Sequence, residues 1–559
     1  MRVSYDVAVI MSDGVRLSAD IYLPDAGGPF PVILQRTPYN NNSKGVVMEA
    51  EFFTNSGYAY VAQDCRGKFD SEGQWYPYLN EAADGDATLN WCAAQPWSTG
   101  RIGMSGGSYC GAVQWYAAAT GNPFLKCIVP LVAYSDLFFD HGLRRDGVFQ
   151  TFYIYWTAAM AGRGFFEIDR QKSEAVIWEV PLAELDQFLG FDLPHWKDFV
   201  GHERYDEFWR SLSIREKYAL IDVPALNIGG WHSPWELKGT LTHFVEMTGS
   251  ARSAETRRRQ KLVIGPWTHG VNLNQRVGDF DFGAQAIIDL QQLQLRWYDR
   301  WLKEEENDVE NESPVRLYVM GENAWRDESA WPLARAVLTP FYLRSDGRAN
   351  SLFGDGLLSP QRPAADEPAD RFTYNPERPV PSMINSTGDD EALYSDQRPI
   401  ERRDDVLVYT SEPLAQDTEV SGPITLKLFA STSARDTDFT AMLLDVQPDG
   451  YSKPLTWGIA RGRYLASFAN PQLLESGRVY EWRIDLWATS NVFKKDHRIR
   501  VDVSSIFFPF FGRNHNTGNP IAQDVEFVIA QQTLHHSSQY PSQIILPLVT
   551  AEAGPEKQE

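Results

Sequence analysis

Cysteine, positive charge and long apolar runs are what this 559-residue sequence has least of, and each shortage removes a class of function. The four cysteines, Cys65, Cys92, Cys110 and Cys127, fall in one region with no regular spacing. They fit neither a disulfide framework nor a zinc site, so small buried thiols are expected, with no metal and no cofactor. Lysine and arginine number 52 against 74 aspartates and glutamates, a formal charge of -22. Such a surface repels nucleic acid, and the short Arg257-Arg258-Arg259 run reads as a solvated helix end. No stretch of about 18 apolar residues is there to span a bilayer, and Met1-Arg2-Val3-Ser4-Tyr5-Asp6 lacks the apolar core of a signal peptide. The expectation is a cytoplasmic protein without a membrane or nucleic-acid partner; a homodimer is among the assemblies the sequence leaves open.

What is present centres on Arg101-Ile102-Gly103-Met104-Ser105-Gly106-Gly107-Ser108-Tyr109-Cys110-Gly111. It reads as a strand entering a glycine turn and then a helix, the pattern of a nucleophile elbow. Ser105 fits the literal Gly-x-Ser-x-Gly spacing between Gly103 and Gly107. Placing the turn there would start the helix on Gly106-Gly107, and glycine is a poor helix former. With Ser108 at the turn, the strand covers 101–106 and the helix starts at Tyr109 and continues through Ala112, Val113 and Trp115. Ser108 is therefore preferred to Ser105 as the exposed serine.

Around the elbow, Asp13-Gly14 marks a hairpin. Apolar runs at 31–34, 58–62, 127–132, 225–229, 261–264 and 315–320 read as buried strands of a largely parallel sheet. Helical spacing appears at 81–94 and 284–302. Between the strands at 127–132 and 225–229 lies more chain than one strand-helix-strand unit needs. This aromatic-rich insertion, with helical stretches at 148–161 and 180–189, is expected to form a cap over the elbow and to shape an acyl or leaving-group pocket. From Trp331 onward, short alternating strands and turn signals indicate a β-sandwich or jelly roll. A long surface loop is expected at 354–381. The expected division is 1–133 and 222–330 for an α/β body, 134–221 for the cap, 331–550 for the β domain and 551–559 for a disordered tail.

Several separated motifs converge. Arg36-Thr37-Pro38-Tyr39, Gln63-Asp64-Cys65-Arg66-Gly67, Gly106-Gly107-Ser108-Tyr109-Cys110-Gly111 and Gly265-Pro266-Trp267-Thr268-His269-Gly270 are followed by Trp297-Tyr298-Asp299-Arg300-Trp301-Leu302 and Asp436-Thr437-Asp438-Phe439. Together they resemble the cocaine esterase and X-prolyl dipeptidyl-peptidase group of serine hydrolases, which includes α-amino acid ester hydrolases and cephalosporin acylases. The resemblance implies an α/β-hydrolase body with an inserted helical cap and a C-terminal jelly roll. It implies Ser108 as nucleophile, His269 as general base, and the Tyr39 hydroxyl with the Tyr109 backbone N–H as oxyanion donors. Serine needs such a base because its hydroxyl is a poor nucleophile until an imidazole takes its proton. The implied substrate is a small-molecule ester, with acyl-amide or X-Pro peptide cleavage as the alternative.

One position departs from the pattern. Where the group carries an aspartate after the strand at 225–229, this chain reads Gly230-Trp231-His232-Ser233. Glu236 is long enough to replace the acid, yet Ser233-Pro234-Trp235-Glu236 also spells a capping box, with Ser233 as N-cap, and that reading is preferred. An acid from another loop, or none, are the remaining readings. Loss of the acid alone costs about 10⁴-fold in turnover. That prospect raises a further alternative, a degenerate hydrolase retained as a binding protein.

Overall fold

The computed structural model describes residues 1–151, 153–384 and 390–549. The expected tail at 551–559 lies outside them. The first half of the chain builds one sheet. Its strands are β1 (Arg2–Ile10), β2 (Arg16–Leu23), β3 (Phe30–Thr37), β4 (Ala59–Asp64), β5 (Ser98–Gly107), β6 (Leu125–Leu131), β7 (Ala225–Gly230), β8 (Gln260–Gly265), β9 (Val315–Val319) and β10 (Ala324–Glu328). They lie in the order β1-β2-β4-β3-β5-β6-β7-β8-β9-β10. β4 through β9 run parallel, while β1, β2 and β10 pair antiparallel at the edges.

Every residue of β4 is buried, as a strand covered on both faces requires. Its side chains alternate between two cores. Ala59 and Val61 pack with Ile102, Met104 and Trp115 on one face, whereas Tyr60 and Ala62 pack with Phe53 and Tyr298 on the other. The covering helices are α1 (Lys44–Asn55), α2 (Glu81–Ala93) and α3 (Tyr109–Ala118), then, later in the chain, α5 (Leu237–Ser250) and α6 (Leu290–Leu302). The chain steps outward from β3 to β4 and returns to β5 on the other side of β3. The elbow thus sits at the point where strand order reverses, the usual ligand position in such sheets.

Between β6 and β7 the insertion is mostly short helices, among them α4 (Tyr153–Ala159). Two expectations are corrected here. Val148–Phe149 is a strand of a two-residue hairpin with Arg144–Arg145, so the 148–161 stretch is helical only from Tyr153. The 180–189 stretch is helical over a shorter span than expected, a 3-10 helix at Leu182–Glu184 running into a short α-helix at Leu185–Phe188. The expected helix at 284–302 also starts later. Asp289 accepts the Gln292 N–H as N-cap, and α6 begins at Leu290.

From Ala336 the chain forms a predominantly antiparallel β domain, in the place where the jelly roll was expected. The stretch at 354–381 is not all loop: Leu357–Ser359 and Asp370–Tyr374 are strands of this domain. Its core is continuous with the body, since Trp231, Leu237, Leu241 and Phe244 pack in the same cluster as Phe439, Trp457 and Phe510. The loop between β7 and α5 is therefore held between body and β domain.

Candidate active site

Ser108 follows β5 and precedes α3 with φ 59° and ψ -125°, a strained conformation for a residue other than glycine. Its backbone holds that shape through its N–H to the Leu131 carbonyl (2.9 Å) and through its own carbonyl, which accepts the N–H groups of Gly111 and Ala112. Two glycines make room. A Cβ on Gly106, whose φ is +127°, would stand 2.5 Å from the Cys110 Cβ, and one on Gly111 would stand 2.7 Å from the Leu131 carbonyl oxygen. Ser105 is elsewhere: it lies within β5, 1% exposed, and its hydroxyl donates to Glu49 Oε1 at 2.5 Å. The preference for Ser108 agrees with this geometry.

The loops after β3, β7 and β8 bring three further groups to the same pocket. The pocket holds roughly 190 Å³ and is lined by Ser108, Tyr39, Glu236 and His269 together with aromatic side chains of the insertion. Tyr39 lines the pocket together with Ser108, and its Oη accepts the Trp156 Nε1–H at 3.1 Å. Burial pushes the Tyr39 phenol well above its ordinary pKa, so it stays protonated and can donate. Tyr109 is the first residue of α3, where a backbone N–H has no intrahelical acceptor and is free for an anion.

His269 Nδ1 lies 2.8 Å from Glu236 Oε2, leaving Nε2 as the nitrogen for proton exchange. Desolvation pulls the imidazole pKa down, but the Glu236 carboxylate, aided by Asp390, outweighs it and raises it to about 9. The capping-box expectation is corrected at this point. Glu236 itself occupies the N-cap position of α5 and makes no side-chain bond to the helix backbone; the helix starts at Leu237. Ser233 is buried and donates its hydroxyl to Glu236 Oε2 at 3.3 Å. Trp235 stacks on Phe510 of the β domain at 5.0 Å and 14°, which fixes the backbone beside Glu236. His232 is buried away from the pocket, its Nδ1 against the Pro266 carbonyl at 2.9 Å.

Two contributors were not read from the sequence. Trp156 comes from the aromatic insertion, whose composition signalled a pocket but no single residue. Asp390 comes from the β domain and accepts the His269 backbone N–H at 3.1 Å. The four cysteines are buried and free.

The comparisons with known proteins can be set against this geometry. The family description "X-Pro dipeptidyl-peptidase (S15 family)" matches residues 13–271, and "X-Pro dipeptidyl-peptidase C-terminal non-catalytic domain" matches 307–545. A cocaine esterase from Rhodococcus sp. (strain MB1 Bresler) is 39% identical, covering 98% of each chain. The chain belongs to the CocE/NonD family. As a member it is a serine hydrolase, in a family of ester hydrolases that also holds X-Pro dipeptidyl-peptidases. Two solved structures share this fold over nearly the whole chain. An α-amino acid ester hydrolase has a TM-score of 0.87 at 27% identity, covering 98% of this chain and 96% of its own. An aminopeptidase from a marine sediment Thaumarchaeota archaeon has a TM-score of 0.85 at 26% identity, with 98% and 97% covered. No helix among the described residues is long and apolar enough to cross a membrane.

Proposed function

We propose that this enzyme cleaves small-molecule carboxylic esters through an acyl-enzyme on Ser108. The Ser108 hydroxyl attacks the ester carbonyl carbon while His269 Nε2 takes its proton. Negative charge then develops on the carbonyl oxygen, where the Tyr39 hydroxyl and the Tyr109 N–H donate to it. Each such donor is worth about 3 kcal/mol of barrier. The tetrahedral intermediate collapses, the carbon–oxygen bond of the leaving group breaks, and His269 protonates the departing alcohol. Water, deprotonated by the same imidazole, then releases the acid and restores Ser108. Glu236 holds the imidazole in the tautomer that leaves Nε2 free and stabilises the imidazolium.

The observation that carries this reading is the 2.8 Å contact between Glu236 Oε2 and His269 Nδ1, on the walls of the pocket that Ser108 and Tyr39 also line. It removes the motive for a degenerate, binding-only protein, which rested on Ser233 standing where an acid was expected. Aromatic walls suit an aryl or other apolar acyl or leaving group, in keeping with the cocaine esterase relative. The peptidase and amino acid ester relatives point to a free α-amine as an alternative determinant. Among the described residues lining the pocket, however, the one carboxylate is Glu236, already engaged by His269. An ester without an ammonium group is the better fit. Four free buried thiols suit the reducing cytoplasm.

The test is a burst of alcohol from an activated aryl ester together with labelling by an organophosphonate. Label mapped to Ser108 and ester turnover exceeding that of X-Pro arylamides are the expected results. Label on a different residue overturns the assignment.

A further inference from the structure

Three side chains on one wall of the pocket are bonded to one another and take no part in the acyl transfer above. Tyr78 Oη is 3.0 Å from Tyr153 Oη and 3.4 Å from His141 Nε2. The other ring nitrogen of His141, Nδ1, accepts the Leu143 backbone N–H at 3.0 Å, so the neutral ring carries its proton on Nε2. The ring is neutral because burial holds its pKa down at about 3, with His269 pushing the same way. The cluster therefore has three polar protons: one on Nε2 and one on each phenol. Nε2–H is directed at Tyr78 Oη, and one phenol donates to the other. The third proton, whichever phenol carries it, has no acceptor among the described residues.

Tyr78 and Tyr153 are only 3% and 6% exposed, and a donor buried without an acceptor is costly. Tyr78 is also held at φ +71°, a left-handed conformation unusual for a bulky residue. Its N–H donates to Tyr109 Oη at 2.9 Å, its ring stacks on Tyr109 with centroids 4.8 Å apart, and it lies 8° from parallel with Trp156. Strain sustained by several independent contacts is characteristic of residues positioned for a ligand.

We propose that Tyr78, Tyr153 and His141 form a hydrogen-bond donor subsite whose spare phenolic proton binds a neutral oxygen acceptor on the apolar part of the substrate. The acceptor is a carbonyl, ether or hydroxyl oxygen. A carboxylate is disfavoured because the cluster is uncharged and an anion entering it would lose its hydration without gaining a cation.

The inference rests on the ester reading, and one experiment separates their failures. Turnover is compared for methoxybenzoate esters and methoxyphenyl acetates, with the methoxy group ortho, meta or para, against ethyl-substituted partners of the same shape. The enzymes are the wild type and a variant carrying both Tyr78→Phe and Tyr153→Phe, in which each ring loses only its oxygen atom. At one ring position the wild type should favour methoxy over ethyl in kcat/KM by about 5-fold or more. Removing one phenol leaves the proton of the other without an acceptor, so the deciding enzyme is the double variant Tyr78→Phe/Tyr153→Phe, which removes both phenolic protons and should bring that ratio close to 1. A ratio near 1 at all positions in the wild type, or one that survives the double substitution, overturns the subsite and leaves ester hydrolysis standing. Turnover no better than that of Ser108→Ala on every ester sinks both.

Discussion

Glu236 and His269 meet at 2.8 Å through Oε2 and Nδ1, although they leave different strands and lie 33 residues apart. Ser233, at the position where an aspartate was expected, donates its hydroxyl to the same Oε2. In the proposed mechanism Glu236, three residues further along the chain and with a longer side chain, takes the part of that acid, and Ser233 supports it. Because Trp235 is stacked on Phe510, the β domain holds the loop that presents this carboxylate.

Removing that carboxylate should slow chemistry and leave binding nearly intact. Glu236→Gln is expected to lower kcat by about 10³ to 10⁴, with KM changed far less, because the imidazole loses its tautomer control while Ser108, Tyr39 and the pocket remain. Ser233→Ala removes one hydrogen bond to Glu236 and should cost about 10-fold or less. Steady-state kinetics on an aryl ester read both. Equal losses in the two variants would refute the assignment of Glu236.

The pH profile follows from the same pair. Catalysis needs neutral His269, and its pKa is raised to about 9 from an ordinary 6.5. The acid limb of kcat/KM should therefore rise through the alkaline range and level off above about pH 9. Without the carboxylate, desolvation dominates, so Glu236→Gln should shift the limb below 6.5. In the wild type the ion pair stabilises the fold fully below pH 6.5, and that contribution disappears as pH rises through about 9. Rate profiles and unfolding midpoints across this range check both directions.

What could be read from the sequence was local. Ser108 was separable from Ser105 because helix propensity acts within a few residues and glycines cannot open α3. The buried strands were legible because burial on both faces leaves continuous apolar runs, as in β4. The capping box with Ser233 as N-cap did not form, although Ser-Pro-Trp-Glu is a complete local capping signal. The tertiary contacts that outweigh it, to His269 and through Trp235 to Phe510, come from distant parts of the chain. Trp156 and Asp390 meet Tyr39 and His269 across 117 and 121 residues, and no spacing rule reaches that far. The helix expected at 148–161 is shorter for a local reason, since Val148–Phe149 pairs with the adjacent Arg144–Arg145 and the helix spans Tyr153–Ala159.

Tyr39 should act on the transition state and hardly at all on the ground state. Tyr39→Phe keeps the ring but loses the oxyanion donor, and kcat should fall about 10²- to 10³-fold with little change in KM. Trp156→Phe deletes the N–H that fixes the Tyr39 hydroxyl, and its kcat should lie between wild type and Tyr39→Phe. A Trp156→Phe effect confined to KM would show that this residue acts as a pocket wall alone.

The insertion and the β domain are joined through Arg463, and its loss should weaken both fold and activity. Its guanidinium bonds Asp436 at 2.7 Å within the β domain and Glu203 of the insertion at 3.0 Å, while the neighbouring Tyr464 hydroxyl donates to the Glu203 carbonyl at 2.7 Å. Asp436 is fully buried, so Arg463→Ala leaves its carboxylate with the Asn514 amide and a backbone N–H but without its ion-pair partner, and should destabilise the protein by about 3 kcal/mol. Glu203→Gln leaves the Asp436 pair intact and should cost about 1 kcal/mol or less. Because the insertion also carries Tyr153 and Trp156 into the pocket, Arg463→Ala should raise KM for aryl esters more than Glu203→Gln does. Urea unfolding midpoints and KM measured on the same two variants check the coupling: a large stability loss with unchanged KM would show that the insertion seats its aromatic residues without help from the β domain.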